Sequence, residues 1–187
     1  MRPELEGNRQ ASFSFRNKIG RAVWDACWLL LFRPSPRPFH SWRSLLLRCF
    51  GACVGKSVHV YPAVRIWAPW NLELGDHVGI GDGAILYCQA KITIGAHAVI
   101  SQGAHVCTGT HDYSDPSFPL RAIPICIGAH AWVAAEAFIH PGVTIGEGTV
   151  LGARSVATTN LAPWTVYAGH PAGFIKARNM KPDNSGL

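Results

Sequence analysis

The sequence predicts an all-β solenoid: a triangular, parallel coil of six-residue repeats with an N-terminal helical cap and one protruding loop. Three observations predict it. Aliphatic residues recur at every sixth position between residues 54 and 151. Small residues keep a second register four positions later. Residues 1–53 follow a different pattern, with helical spacing and no period of six. The organisation expected is a helical region at 1–53, a solenoid at 54–178 with its loop at 108–124, and a tail at 179–187.

In the helical region, Trp24, Trp28 and Leu31 fall at i, i+4 and i+7, and Ile19, Val23 and Leu30 widen this apolar stripe. Lys18, Arg21 and Asp25 form a more polar face. The segment Arg33-Pro-Ser-Pro-Arg-Pro38 ends the helix, because each proline lacks a donor and restricts the residue before it. A second helix is expected from about Ser41 to Phe50, with Trp42, Leu45, Leu46 and Phe50 apolar and Arg43 and Arg48 polar. The most apolar stretch, Ala22–Phe32, has 11 residues and contains Asp25. A bilayer-spanning helix needs about 20, so none is expected. No secretory signal peptide is evident after Arg2.

The repeat runs in blocks: Val54, Val60, Ile66, Leu72; then Leu74, Ile80, Leu86, Ile92; then Ile94, Ile100, Val106; and, after an interruption, Ile127, Val133, Ile139, Ile145, Leu151. Four positions behind these sit small residues such as Val58, Ala84, Ala98, Ala131 and Ser155, with Trp70 the large exception. Six residues make one flat side and a corner, and three sides make one coil. The aliphatic residue points inward and stacks on its counterparts in neighbouring coils, while the small residue fits the corner. Glycine often follows the aliphatic residue, as at Gly55, Gly75, Gly95, Gly128 and Gly146, where it is expected to permit turn dihedrals.

The net charge of +6 is unevenly placed. Residues 1–56 hold ten basic and three acidic residues, whereas residues 57–187 hold seven and eight. The solenoid is near neutral and has no basic-aromatic stripe, so nucleic acid is not an expected partner. The six cysteines form no CxxC pair, which fits a reduced, cytoplasmic chain with free thiols. The basic helical region has two readings. It caps the open first coil, or it forms an interfacial segment at the inner face of the plasma membrane.

The repeat fails between Val106 and Ile127, and Thr108–Pro124 reads as a loop leaving a rigid scaffold, where function concentrates. Its only imidazole is His111, and a positioned neutral imidazole takes a proton from a hydroxyl or amine. The neighbouring Asp112 is assigned a surface or capping role, since adjacent residues of an extended segment point apart.

These features resemble the hexapeptide-repeat acyltransferases, whose fold is a left-handed parallel β-helix; left-handedness is what the resemblance implies. The repeat from Val54 to Arg178, Thr108-Gly109-Thr110-His111, the Phe118-Pro119…Gly128 return, Ala131-Trp132-Val133 and Ile139–Gly146 carry it. Trp42–Ala52, Pro69–Asp76, Ile100–Tyr113 and Ala168–Arg178 look like the exopolysaccharide branch, the colanic acid biosynthesis acetyltransferases. The resemblance implies direct acetyl transfer from acetyl-CoA to a sugar hydroxyl of an exopolysaccharide or its lipid-linked or nucleotide-linked precursor, with His111 as general base. It further implies a homotrimer with active sites between subunits, and no metal. Contacts to CoA would fall at Trp132, Ala135, Ala153 and Thr158. Thr159 and Gly173 stand where relatives carry basic residues, and Arg154, Lys176 and Arg178 are the candidates to replace them. The positions matching sugar-binding Asn and Asp of galactoside and maltose acetyltransferases are Gly81 and Gln89, which leaves Tyr87, Gln89 and Tyr113 as candidate acceptor contacts. A γ-class carbonic anhydrase shares such a solenoid, but needs a histidine pair five residues apart, and no two of the nine histidines have that spacing. N-acetylation of an amino-sugar nucleotide and a non-catalytic scaffold stay open as alternatives.

Overall fold

The computed structural model describes residues 13–179. The N-terminal charges at Arg2, Glu4, Glu6 and Arg9, and nearly all of the expected tail, lie outside those residues. The described chain is a left-handed parallel β-helix entered through two helices. Helix α1 spans Phe15–Cys27, with the Ser14 hydroxyl accepting from the Asn17 N–H at its start. It runs on through a π-helical turn at Trp28–Phe32, and α2 follows at His40–Cys49. Among the described residues no helix is long and apolar enough to cross a membrane.

Three parallel sheets form the faces of the prism. Sheet A holds β1 (Cys53–Val54), β4 (Leu72–Leu74), β7 (Ile92–Ile94), β12 (Ile125–Ile127) and β15 (Thr144–Ile145). Sheet B holds β2 (His59–Val60), β5 (Gly79–Ile80), β8 (Val99–Ile100), β13 (Trp132–Val133), β16 (Val150–Leu151) and β18 (Thr165–Ala168). Sheet C holds β3 (Arg65–Ile66), β6 (Ile85–Tyr87), β9 (His105–Cys107), β14 (Phe138–Ile139) and β17 (Val156–Ala157). Each coil pairs in register with the next, so that Val60 lies on Ile80, Ile80 on Ile100 and Ile100 on Val133. These aliphatic residues and the small residues of the second register form one buried core. Strand β19 (Gly173–Ala177) turns back antiparallel on β18 and closes the far end.

The glycines after the aliphatic residues have a different cause from the one expected. Gly55, Gly75, Gly95, Gly128 and Gly146 are absent from the positive-φ residues. A Cβ on any of them would meet the next coil at 2.4–2.6 Å. Their role is to let coils stack at this edge. The left-handed corner positions are instead held by residues such as His77, His97 and His130, whose rings stack on one another.

The helices close the first coil by a specific device. In the second coil, the carbonyls of Leu74, Ile80, Ala84 and Leu86 accept N–H groups from the first. The matching carbonyls of the first coil have no preceding coil to bond, which is the edge problem of any open sheet. Side chains of the cap replace the missing coil. Arg48 donates to the carbonyls of Val54 and Gly55, Arg43 Nε to Val60 at 2.6 Å, Trp28 Nε1 to Val64 at 2.8 Å, and Trp24 Nε1 to Ile66 at 2.6 Å. Arg43 also donates to Pro36, Arg37 and the Ser35 hydroxyl, which clamps the proline segment to the solenoid.

Two sequence expectations are corrected here. Arg43 is fully buried, because edge carbonyls are the acceptors a guanidinium fork satisfies, and desolvation pushes its pKa down. The apolar stripe of α1 is split. Trp24, Trp28 and Phe32 face the solenoid, whereas Ile19, Val23, Leu30 and Leu31 face outward with Trp42. Trp70, the exception in the small-residue register, sits in a 3-10 turn (Pro69–Asn71) and packs against Gly20 and Gly51 of the cap.

Candidate active site

The interruption between the third and fourth coils is a β-hairpin rather than an irregular loop. Strand β10 (Gly109–His111) leaves the corner between sheets C and A and pairs antiparallel with β11 (Leu120–Ala122), with His111 opposite Leu120. Two extended segments crossing the surface need backbone partners, and here each supplies them to the other. The root is pinned by Thr108, which is fully buried. Its hydroxyl donates to the Tyr87 carbonyl at 2.8 Å and accepts from the Ala90 N–H at 2.9 Å.

His111 is exposed at the end of β10. Its Nδ1 lies 2.9 Å from the Phe118 carbonyl, and its ring stacks on the Phe118 ring at 4.4 Å and 7°. A carbonyl only accepts, so Nδ1 carries the proton and Nε2 of the neutral ring keeps its lone pair. Phe118 has φ +47°, a left-handed conformation that turns both its carbonyl and its ring toward His111. Asp112 turns to the other side of the strand. It pairs with Arg121 at 2.5 Å and accepts from the Ser114 N–H, which fastens the hairpin and leaves the imidazole alone.

Behind the hairpin root, Gln89 Nε2 donates to the Tyr87 hydroxyl at 2.7 Å. A Cβ on Gly109 would stand 2.3 Å from Gln89 Oε1 and 3.1 Å from the Tyr87 ring, so glycine is what allows the hairpin to leave the coil here. Tyr87 and Gln89 are thus brought together beside β10. Tyr113 is not, being exposed farther along the hairpin.

Sequence reasoning missed the surroundings of Tyr87. Residues one coil apart on the outer face of sheet C form an aromatic row, Trp67–Tyr87–His105–Phe138, with ring centroids 4.9–6.4 Å apart. Burial in this row pushes the His105 pKa down. A cavity of about 300 Å³ opens between this face and α1, lined by Asp25, Trp28, Arg65, Trp67 and Tyr87. The signal available in the sequence was the twenty-residue spacing that links Trp67 to Tyr87 and Ile85 to His105.

The other candidates occupy different corners of the prism. Ala135, Ala153 and Arg154 lie together on the corner between sheets B and C, where the Arg154 N–H donates to the Ala135 carbonyl and Arg154 Nε meets Glu136 at 2.7 Å. Thr158 lies just past β17 on the corner from which the His111 hairpin leaves. Trp132 stands outward on sheet B and donates to the Ser101 hydroxyl at 2.9 Å. Arg178 is committed to the corner between sheets A and B, donating to the carbonyls of His130 and Gly148, while Lys176 is exposed on β19. One chain alone does not gather these residues around His111. Among the described residues, no cluster of three or more His, Cys, Asp or Glu side chains is placed to hold a metal.

No protein-family model matches the chain. The colanic acid biosynthesis acetyltransferase WcaF of Escherichia coli (strain K12) is 46% identical over 162 residues, covering 87% of this chain and 89% of that one. The crystal structure of the hexapeptide-repeat containing acetyltransferase VCA0836 from Vibrio cholerae superposes with a TM-score of 0.81 at 26% identity, over 89% of this chain and 95% of that one. The chain belongs to the hexapeptide-repeat acetyltransferases. Within that family, galactoside O-acetyltransferase of Escherichia coli is 29% identical over 140 residues, 73% of this chain and 69% of that one. A galactoside acetyltransferase solved in complex with coenzyme A gives a TM-score of 0.82 at 25% identity, over 89% and 84% of the two chains.

Proposed function

We propose that this hexapeptide-repeat acetyltransferase moves an acetyl group from acetyl-CoA to a sugar hydroxyl of an exopolysaccharide, or of its lipid-linked or nucleotide-linked precursor, with His111 as general base. The observation that carries the base assignment is the 2.9 Å contact between His111 Nδ1 and the Phe118 carbonyl, which leaves Nε2 free to accept a proton. In the reaction, Nε2 takes the proton of the acceptor hydroxyl as its oxygen attacks the thioester carbonyl. The carbon–sulfur bond breaks, the imidazolium returns the proton to the departing thiolate, and CoA and the acetyl ester leave. Backbone N–H groups at the coil edge would stabilise the oxyanion.

The separation of His111 from Ala135, Ala153 and Arg154 supports a homotrimer in which one copy's hairpin faces the corner between sheets B and C of the next. Acetyl-CoA would lie in the groove between them. Trp132, Thr158 and Lys176 are kept as outer contacts, with Tyr87 and Gln89 toward the acceptor, whereas Arg178 is already held by the His130 and Gly148 carbonyls. The colanic acid biosynthesis name of the 46% identical relative supports the acceptor class.

The test is acetyl-CoA consumption by the purified protein against a panel of nucleotide sugars, amino-sugar nucleotides and polysaccharide repeat units, with the product mapped by mass spectrometry and NMR. An O-acetylated sugar is the expected product. An N-acetylated amino sugar as the best product, or no turnover with any acceptor, would overturn the proposal.

A further inference from the structure

Among the described residues, the cap satisfies the first coil with one side of its helices and leaves the other side without a partner. Helix α1 is apolar on both sides. Trp24 and Trp28 are buried against the solenoid, whereas Phe15, Ile19, Val23 and Leu30 face outward and are 77%, 49%, 54% and 69% exposed. Lys18, Arg21 and Asp25 separate the two apolar sides along one flank, and a contiguous exposed apolar strip marks an interaction surface. The outward strip continues into a groove of about 420 Å³ between the π-helical turn and α2, lined by Leu31, Pro34, Pro36, Phe39 and Trp42. Trp42 sits at its rim with its indole N–H on the Leu31 carbonyl.

Charge decides what kind of partner fits. Residues 13–56 contain eight basic residues and a single acidic one, Asp25. Arg43 and Arg48 are committed to edge carbonyls and Arg21 lies over the Trp67 ring. Arg16 and Lys18 flank the outward strip near the start of α1; at its other end Arg33 is exposed but lies over the Trp28 ring, and Arg37 is exposed but paired with Asp82 at 3.4 Å. A second copy meeting this face with its own would bring the same positive charge against itself. An anionic bilayer offers both halves of what the surface presents, apolar depth for the leucines and aromatic rings and negative headgroups for the rim.

We propose that the outer face of α1, the Trp28–Phe32 turn and α2 is a docking surface for an anionic membrane, on which the enzyme lies without crossing it. The cap sits on the first coil, and the His111 hairpin leaves two coil steps later, about 10 Å farther along the solenoid. Docking by the cap therefore holds the hairpin near the headgroups, within reach of an acceptor whose carrier is embedded in the bilayer.

The test is co-sedimentation of the full-length protein with phosphatidylcholine vesicles containing half phosphatidylglycerol, and with pure phosphatidylcholine vesicles, at low and at high salt. The protein is expected to pellet with the anionic vesicles at low salt and to be released by high salt. The variant Arg16→Glu/Lys18→Glu is expected to weaken binding by roughly tenfold or more. Its acidic groups at the start of α1 favour the helix dipole, so its fold is not at risk. Leu30→Glu is expected to abolish pelleting while circular dichroism, oligomeric mass and soluble acetyl transfer stay as in the wild type. Failure of the wild type to pellet with anionic vesicles at low salt overturns the proposal. A change of oligomeric mass in Leu30→Glu overturns it too, and makes the face an interface between copies.

Discussion

Gly109 is the position at which fold and chemistry meet, and Gly109→Ala is the most informative single perturbation of the hairpin. The new Cβ would lie 2.3 Å from Gln89 Oε1, 2.8 Å from Gln89 Cδ and 3.1 Å from the Tyr87 ring. The amide is flexible and can swing away, at the cost of its 2.7 Å bond to the Tyr87 hydroxyl, about 1 kcal/mol. The ring is held between Trp67 and His105 and cannot follow. The hairpin must give the remaining few tenths of an ångström, and more if Gln89 stays in place. The stability loss expected is about 1–2 kcal/mol, or a melting temperature roughly 3–6 °C lower. The catalytic loss is larger, about 10–100-fold in kcat/KM, because displacing a base by a fraction of its hydrogen-bond reach removes the alignment on which proton transfer depends. Gln89→Ala removes the nearer obstacle, so Gly109→Ala should cost several-fold less in kcat/KM when made in Gln89→Ala than when made in the wild type, a coupling of about 1 kcal/mol. Thioester loss followed by ultraviolet absorbance is the suitable assay, since the exposed thiols of Cys49, Cys53 and Cys126 would consume a thiol-counting reagent. Activity of Gly109→Ala within twofold of wild type, or a loss that Gln89→Ala does not change, would refute this reasoning.

Two further outcomes follow from the solenoid itself. Gly95→Ala places a Cβ 2.5 Å from the Ala129 nitrogen of the next coil and should cost about 2–3 kcal/mol, whereas Gly173→Ala meets nothing within 4 Å and should stay within about 0.5 kcal/mol of wild type; thermal melting of the pair checks this. Arg43→Met removes the donor to Val60, Pro36, Arg37 and Ser35 together and should cost about 3–5 kcal/mol in chemical denaturation, while Arg33→Met, an exposed neighbour, should cost little.

The solenoid was legible because its cause is local and periodic. An inward aliphatic residue must recur at each side of the triangle, so Ile80, Ile100 and Val133 announce their stacking without any knowledge of the rest. The hairpin was legible as a break in that period, and His111 as its only imidazole. What the sequence hid depends on which coil is first and on contacts far apart in the chain. Arg43 and Arg48 share the same helix and look alike as a sequence, yet Arg43 is buried under the proline segment and Arg48 stays at the surface. Gly95 reads as a turn residue until the next coil is seen 2.5 Å from its missing Cβ. The tautomer of His111 rests on the carbonyl of Phe118, seven residues away across a turn whose geometry no spacing rule encodes. The outward face of α1 was read as part of one apolar stripe, because helical periodicity does not say which side meets the solenoid.

The central claim is that His111 Nε2 removes the acceptor proton, and the most direct measurement is the turnover of His111→Ala with the acceptor that the wild type uses best. Loss of about 10²–10⁴-fold in kcat is expected, with oligomeric mass and melting temperature unchanged because the side chain is exposed. Turnover within tenfold of the wild type in a folded His111→Ala protein would contradict the account.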